Sequence, residues 1–178
     1  MTPDEAAAAL TVVPGELDAT VAELPGAPGH VAWWAAPSVL PDLGGAPHPH
    51  ADLRLLDLGV ATMLRNRVRR QDLYRTGVSR LRRVAAGLLL DELALAPTWA
   101  ADVILPKADE ERLTVWLRAR LALTWVVDDE RVAQHDAVAG LVGPAALDLP
   151  VAHEAEQRYE AVAGEKVPRE AGVPFRRP

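Results

Sequence analysis

The chain has 178 residues and no cysteine, about half of its residues are apolar, and its formal net charge is −6. This length predicts one domain with a core of ordinary size. The missing cysteines exclude disulfides, cysteine-based zinc sites and thiol catalysis. The first residues lack the basic and apolar regions of a signal peptide, and no apolar run approaches the roughly 20 residues of a membrane span. We therefore expect a soluble, cytoplasmic protein with no membrane partner.

Two helices followed by two strands are predicted in the N-terminal part. Thr2 begins a capping box, which predicts a helix over residues 2–10, and a second short helix is predicted over 16–24. After a run of Pro and Gly, the apolar segment 30–35 predicts a first strand. A loop rich in Pro separates it from a second apolar run of strand length at 53–61.

The rest of the chain alternates helical and extended patterns. Apolar residues spaced at i, i+3 and i+4 predict helices, and strict alternation predicts strands. The predicted helices cover residues 63–71, 78–93, 109–120, 129–142 and 151–163. Strands are predicted over 99–105 and 121–127, and the tail 166–178, rich in Pro and Arg, is expected to be loosely held.

The most basic segment is 63–83, where eight arginines face a single acid, Asp72, for a local formal charge of +7. Such a block in an acidic protein indicates nucleic-acid phosphate binding, an acidic protein partner, or compensation by the protein's own acids. The arginines proposed to bind are Arg65, Arg69, Arg70, Arg80, Arg82 and Arg83. The acids proposed to compensate them are Asp109, Glu110, Glu111, Asp128, Asp129 and Glu130.

Six short motifs follow one another between about residues 25 and 150. They are Pro28-Gly29-x-x-Ala32-Trp33-Trp34, Leu58-Gly59-Val60-Ala61, Leu64-Arg65-x-Arg67, Ser79-Arg80-Leu81-Arg82-Arg83, Leu113-Thr114-x-Trp116 and Ala145-Ala146-Leu147-Asp148-Leu149. In this order they resemble a bacterial branch of the GIY-YIG nuclease superfamily.

The resemblance implies an α+β fold, in which helices flank a small mixed β-sheet. In this sheet the strands 30–35 and 53–60 are antiparallel neighbours. It also implies three parts of the chain: an N-terminal helical extension (1–24), a GIY-YIG-like domain (25–150), and a C-terminal helix with a loose tail (151–178).

Known members of the superfamily hydrolyse DNA phosphodiesters with two tyrosines, an arginine, a metal-binding carboxylate and an asparagine. At the matching positions this chain has Val31, Asp57, Arg67, Asp136 and Asp148. Both phenols are replaced, and a valine side chain can neither donate nor accept a proton. The resemblance therefore implies a degenerate domain without ordinary nuclease activity, which binds nucleic acid or phosphate through its arginine-rich helix.

Two alternatives remain open. One is an enzyme with altered chemistry on the same fold, using Asp57, Arg67, Asp136 and Asp148 as a remnant site; its cofactor is either none or a single Mg²⁺ held by Asp136. The other is a protein-interaction subunit. Because an unpaired buried carboxylate is costly, Asp57 in its apolar strand is expected to pair with Arg67, and that ion pair alone would account for both residues.

Overall fold

The computed structural model describes residues 1–100 and 102–164, and its strands form two antiparallel sheets. The main sheet has the order β2-β1-β5, with β1 (Gly29–Ala35) between β2 (Arg54–Ala61) and β5 (Leu121–Val127). A small hairpin pairs β3 (Thr98–Trp99) with β4 (Val103–Ile104). The α+β class and the antiparallel neighbours β1 and β2 are thus confirmed, and the main sheet, expected to be mixed, has only antiparallel pairs. The single strand predicted over 99–105 is wrong, because the chain reverses there.

The helices flank the main sheet. They are α1 (Pro3–Leu10), α2 (Leu17–Glu23), α3 (Leu64–Asn66), α4 (Arg80–Leu89), α5 (Lys107–Arg120), α6 (Arg131–Val142) and α7 (Pro150–Val162). The predicted capping box of α1 is present, since Thr2 and Glu5 bond each other's backbone N–H. Within the two described ranges, no helix combines the length and apolar character needed to cross a membrane. The predicted tail 166–178 lies outside the described residues.

The helix predicted over 63–71 is instead one short turn, α3, followed by a π-helical turn over Arg67–Asp72. The Leu73 N–H donates to the Val68 carbonyl five residues earlier, at 2.9 Å. Such wide turns are rare, and they frequently occur at functional sites.

Two adjacent tryptophans on β1 divide the interior into two cores. Successive side chains of a strand point to opposite faces, so Trp33 and Trp34 are both fully buried but in different clusters. The Trp33 cluster contains residues of α2, α4, α5 and α7. The Trp34 cluster contains residues of α1 and α6. The terminal helices, predicted to be extensions, therefore contribute to the cores.

A β-bulge places Asp57 on the Trp33 face of the sheet. Trp33 pairs with Asp57 and Trp34 with Leu55, so Leu56 is an extra residue on β2. Leu56 is buried in the Trp33 cluster, next to Asp57. Bulges locally redirect side chains, and this one orients the Asp57 carboxylate towards the helices that follow β2.

The close approach of α4 to α7 gives a test of this architecture. A Cβ on Gly87 would lie 1.8 Å from the Ala155 carbonyl oxygen, whereas a Cβ on Gly140 of α6 would meet nothing within 4 Å. We expect Gly87→Ala to lower the free energy of unfolding by about 1–3 kcal/mol, because the helices must separate. Gly140→Ala should raise it by about 0.5–1 kcal/mol, the usual effect in a helix. Urea unfolding measures the free energy of unfolding of both variants. Stabilisation by Gly87→Ala would contradict the close packing of α4 against α7.

Candidate functional site

One guanidinium bridges two carboxylates at the start of the arginine-rich segment. The Arg67 Nη2 atom lies 3.3 Å from Asp57 Oδ2, and Arg67 Nε lies 3.0 Å from Asp72 Oδ2. The predicted ion pair of Asp57 with Arg67 is therefore present. Its second carboxylate, Asp72, was unexpected, and it reaches Arg67 because both residues belong to the same π turn.

The two carboxylates are unequally satisfied. Asp72 is fully buried and also accepts hydrogen bonds from Ser79 Oγ at 2.8 Å and from Trp33 Nε1 at 3.2 Å. Asp57 shares Arg67 with it, and only 16% of its side chain is exposed. Burial raises the pKa of Asp57 to about 6; the charge of Arg67 opposes this rise, and that of Asp72 adds to it.

The structure brings Asp148 near this cluster but not Asp136. The negative charge of Asp148 contributes to the raised pKa of Asp57. Its carboxylate is exposed and lies 3.7 Å from the Arg80 guanidinium. Asp136 is exposed on α6, which packs on the Trp34 face, whereas Asp57 lies on the Trp33 face.

Val31, at the position that the motifs match to the first family tyrosine, has a hydrocarbon side chain without a reactive group, and it is fully buried. In residues 1–100 and 102–164, no group of three or more His, Asp or Glu side chains could hold a metal ion. Mg²⁺ is commonly bound by one or two carboxylates together with waters, so the Mg²⁺ expectation at Asp136 stays a prediction.

Arg82 was predicted to bind an external anion, but it is fully buried. Its five N–H groups donate to Thr76 Oγ1 (3.1 Å), Thr114 Oγ1 (3.0 Å), Glu110 Oε2 (2.6 Å) and the carbonyls of Asp72 and Glu110 (3.4 and 3.1 Å). A guanidinium has five donors, so this one is saturated by protein groups. Arg82 has no donor left for a ligand.

Arg80 and Arg83, which the sequence analysis assigns to anion binding, share Glu156 of α7. The Arg83 Nε atom lies 2.6 Å from one carboxylate oxygen and Arg80 Nε lies 3.4 Å from the other. The side chains are 40% exposed for Arg80 and 24% for Arg83. Four of the eight arginines in the block therefore have acidic partners within the protein: Arg67, Arg80, Arg82 and Arg83.

The other four arginines of the block, Arg65, Arg69, Arg70 and Arg75, are exposed. Among the described residues none of them has an acidic oxygen within 4 Å. Arg65 and Arg69 donate to carbonyls at the C-terminal end of α2, at 2.9 Å to Leu24 and 2.8 Å to Val21. A helix C-terminus favours cations, which explains their orientation.

Comparisons with protein-family models, with curated proteins and with solved structures found no match for this chain. The resemblance to GIY-YIG nucleases therefore rests on the six motifs alone. Several residues that organise this region were missed in the sequence: Asp72, Thr76, Ser79, Thr114 and Glu156. Only Ser79 carried a local signal, since its side chain caps α4 by accepting from the Arg82 N–H.

Removing the partly buried guanidinium of Arg67 or the fully buried one of Arg82 tests its structural role. Arg67→Ala leaves two carboxylates without their cation, and Arg82→Ala does the same to Glu110, so each should lower the free energy of unfolding by about 3–5 kcal/mol. The matched control is Arg158→Ala, which breaks an exposed pair with Asp91 and should cost less than about 1 kcal/mol. Urea unfolding followed by tryptophan fluorescence measures all three. If Arg82→Ala lowered the free energy of unfolding no more than Arg158→Ala does, the structural role of the Arg82 hydrogen bonds would be contradicted.

The pH dependence of stability tests the shared guanidinium. The pKa of Asp57 is raised from 3.8 to about 6, so between these values the folded protein holds more protons than the unfolded chain. Ionisation of Asp57 therefore lowers the free energy of unfolding as pH rises through this window, by at most about 3 kcal/mol, and adds nothing further above it. The stability of Asp57→Asn relative to the wild type should rise from about pH 4 to about pH 6 and then stay constant. Asp91→Asn, which changes a 90% exposed carboxylate, is the control. If the stability difference between Asp57→Asn and the wild type did not change with pH, the raised pKa of Asp57 would be contradicted.

Proposed function

We propose that this chain is a non-hydrolytic, GIY-YIG-like domain that binds nucleic-acid phosphates. The observation that carries the proposal is the set of four exposed arginines, Arg65, Arg69, Arg70 and Arg75, that have no acidic partner among the described residues. The other four arginines of the segment are paired with acids. Exposed arginines without such partners are suited to bind a polyanion.

The absence of hydrolysis is part of the proposal. Val31 is buried at the position of one family tyrosine, and Asp57 at the other is tied to Arg67. A general base must reach the proton it abstracts, and losing one typically costs about 10²- to 10⁴-fold in rate. Ion pairing of Arg67 with two carboxylates also competes with the phosphate that the family's arginine would neutralise.

Binding should depend on salt and on the unpaired arginines. We expect the wild type to bind a fluorescein-labelled DNA oligonucleotide, with affinity falling steeply between about 0.05 and 0.2 M NaCl because phosphates release counterions. The double variant Arg70→Ala, Arg75→Ala should bind more weakly and reduce the slope of log affinity against log salt by about 2. Fluorescence anisotropy measures both quantities.

Arg158→Ala with Arg112→Ala is the matched control, since it removes two exposed arginines that are paired with acids. The control should bind as the wild type does. An equal loss in both double variants would show that only net charge matters, and no binding at low salt would refute the proposed function.

A second candidate function follows from the ionisation of Asp57. A carboxyl with a pKa near 6 that remains 16% exposed is suited to proton transfer at neutral pH, beside the cation Arg67 and the exposed Asp148. This is the altered-chemistry enzyme on the same fold. Structural ion-pair networks perturb pKa values as well, so we rank it second.

Plasmid cleavage separates the two candidates. The proposed function predicts that the purified protein does not nick supercoiled DNA with Mg²⁺ or Mn²⁺. The reason is that neither of the two positions matched to a family tyrosine has a phenol. Gel electrophoresis over time is the measurement. Metal-dependent nicking that Asp57→Asn abolishes, in a variant whose folding is verified by circular dichroism, would instead support the enzyme. Nicking that survives this variant indicates a contaminating nuclease.

A further inference from the structure

A surface groove of about 530 Å³ lies between the middle of the arginine-rich segment and α5. Tyr74 and Val115, exposed to 62% and 69%, both line it, and Leu105 adds buried apolar surface. Arg75 also lines it, directly after Tyr74 in sequence. An exposed aromatic ring beside a guanidinium suits a ligand that carries both a flat apolar group and a negative charge.

The backbone that carries Tyr74 is held on both sides. The Asp72 and Leu73 carbonyls accept from Arg82 and from Thr114 Oγ1, at 3.4 and 2.9 Å. The Arg75 N–H donates to the Gln71 carbonyl at 2.9 Å. Tyr74 is thus an exposed side chain on a fixed backbone, and binding through it would need little further ordering.

The charges of the groove favour an anion. The Glu110 carboxylate is turned towards Arg82 and Thr76, whose atoms it bonds at 2.6–2.9 Å, so its charge is compensated inside the protein. Arg75 has no acidic partner among the described residues. Two further cations, Lys107 and Arg118, line the same groove, as does the exposed acid Glu111, which is paired with Lys107, while Arg118 is paired with the exposed Asp18. Three cations and two acids thus line the groove, for a formal charge of +1.

We infer that this groove is a base-stacking subsite for single-stranded nucleic acid, in which one base stacks on the Tyr74 ring and a neighbouring phosphate binds Arg75. The inference rests on the proposed function and adds to it that the strand is single. Stacking on aromatic rings is typical of single-strand binding, because in a duplex the faces of the bases are covered by their neighbours. The alternating base and phosphate of a strand match the adjacent aromatic ring and guanidinium.

The test compares two probes by fluorescence anisotropy: a fluorescein-labelled oligothymidylate of about 16 nucleotides and a duplex of the same length. The wild type should bind the oligothymidylate more tightly. Tyr74→Leu should weaken oligothymidylate binding by at least about fivefold, the lower range for loss of one stacked base, and leave duplex binding and the salt slope unchanged. Tyr74→Phe keeps the ring and should bind as the wild type does. Arg75→Ala should weaken both probes and reduce the salt slope by about 1.

The outcomes separate this inference from the function on which it rests. Full oligothymidylate affinity in Tyr74→Leu, with salt-dependent binding that still requires Arg70 and Arg75, overturns the stacking subsite and leaves phosphate binding intact. Failure of the wild type to bind either probe at low salt overturns both. Tighter binding of poly-glutamate than of the oligothymidylate at equal charge concentration, with no loss in Tyr74→Leu, would identify an acidic protein as the ligand and overturn the inference.

Discussion

The buried guanidinium of Arg82 is the contact on which this half of the molecule depends. Its five donors reach the backbone of Asp72, the side chain of Thr76, and α5 through Glu110 and Thr114. The segment between the π turn and α4 has little regular structure, so these bonds fix its path. A charge at this depth is tolerable only when it is paired and fully hydrogen-bonded, and every one of these acceptors is therefore needed. The exposed side chains of the segment are presented on a backbone that Arg82 holds.

The Arg67 guanidinium at the start of the same segment has a structural role, because its head group is occupied by Asp57 and Asp72. The resemblance to GIY-YIG nucleases would instead assign this guanidinium to phosphate. A phosphate would have to displace a carboxylate that already lies within hydrogen-bond distance in a partly desolvated site. The exposed arginines without an acidic partner among the described residues lie before the π turn (Arg65), within it (Arg69 and Arg70) and after it (Arg75). On the proposed function, phosphates bind to these arginines and not to Arg67.

Local sequence patterns predicted most helices and strands. The contacts between residues far apart in sequence could not be predicted in this way. The capping box of Thr2 and Glu5 acts within one turn and was readable from sequence, and the pairing of Asp57 with Arg67 followed from the cost of a lone buried carboxylate. Arg82 was assigned to binding because a buried and an exposed arginine look alike in sequence when the partner, Glu110, is 28 residues away. Partners at such separations are specified by tertiary packing. Asp136 was assigned to the site by the resemblance alone, and the helix that carries it packs on the other face of the sheet.

The Trp34 core joins the N-terminal helix α1 to β5 and α6, which lie more than 100 residues later in the chain. Thr124 of β5 accepts from Trp34 Nε1 and donates to the carbonyl of Leu10, and the amide of Gln134 on α6 donates to the Met1 carbonyl. During synthesis α1 therefore leaves the ribosome long before the surface that covers its apolar residues exists. At about 5–20 residues per second, it waits several seconds for β5 and α6 to emerge. During this interval the apolar face of α1, which includes Leu10, is exposed to other chains. The risk of misassembly through this helix therefore lasts until β5 and α6 have been synthesised.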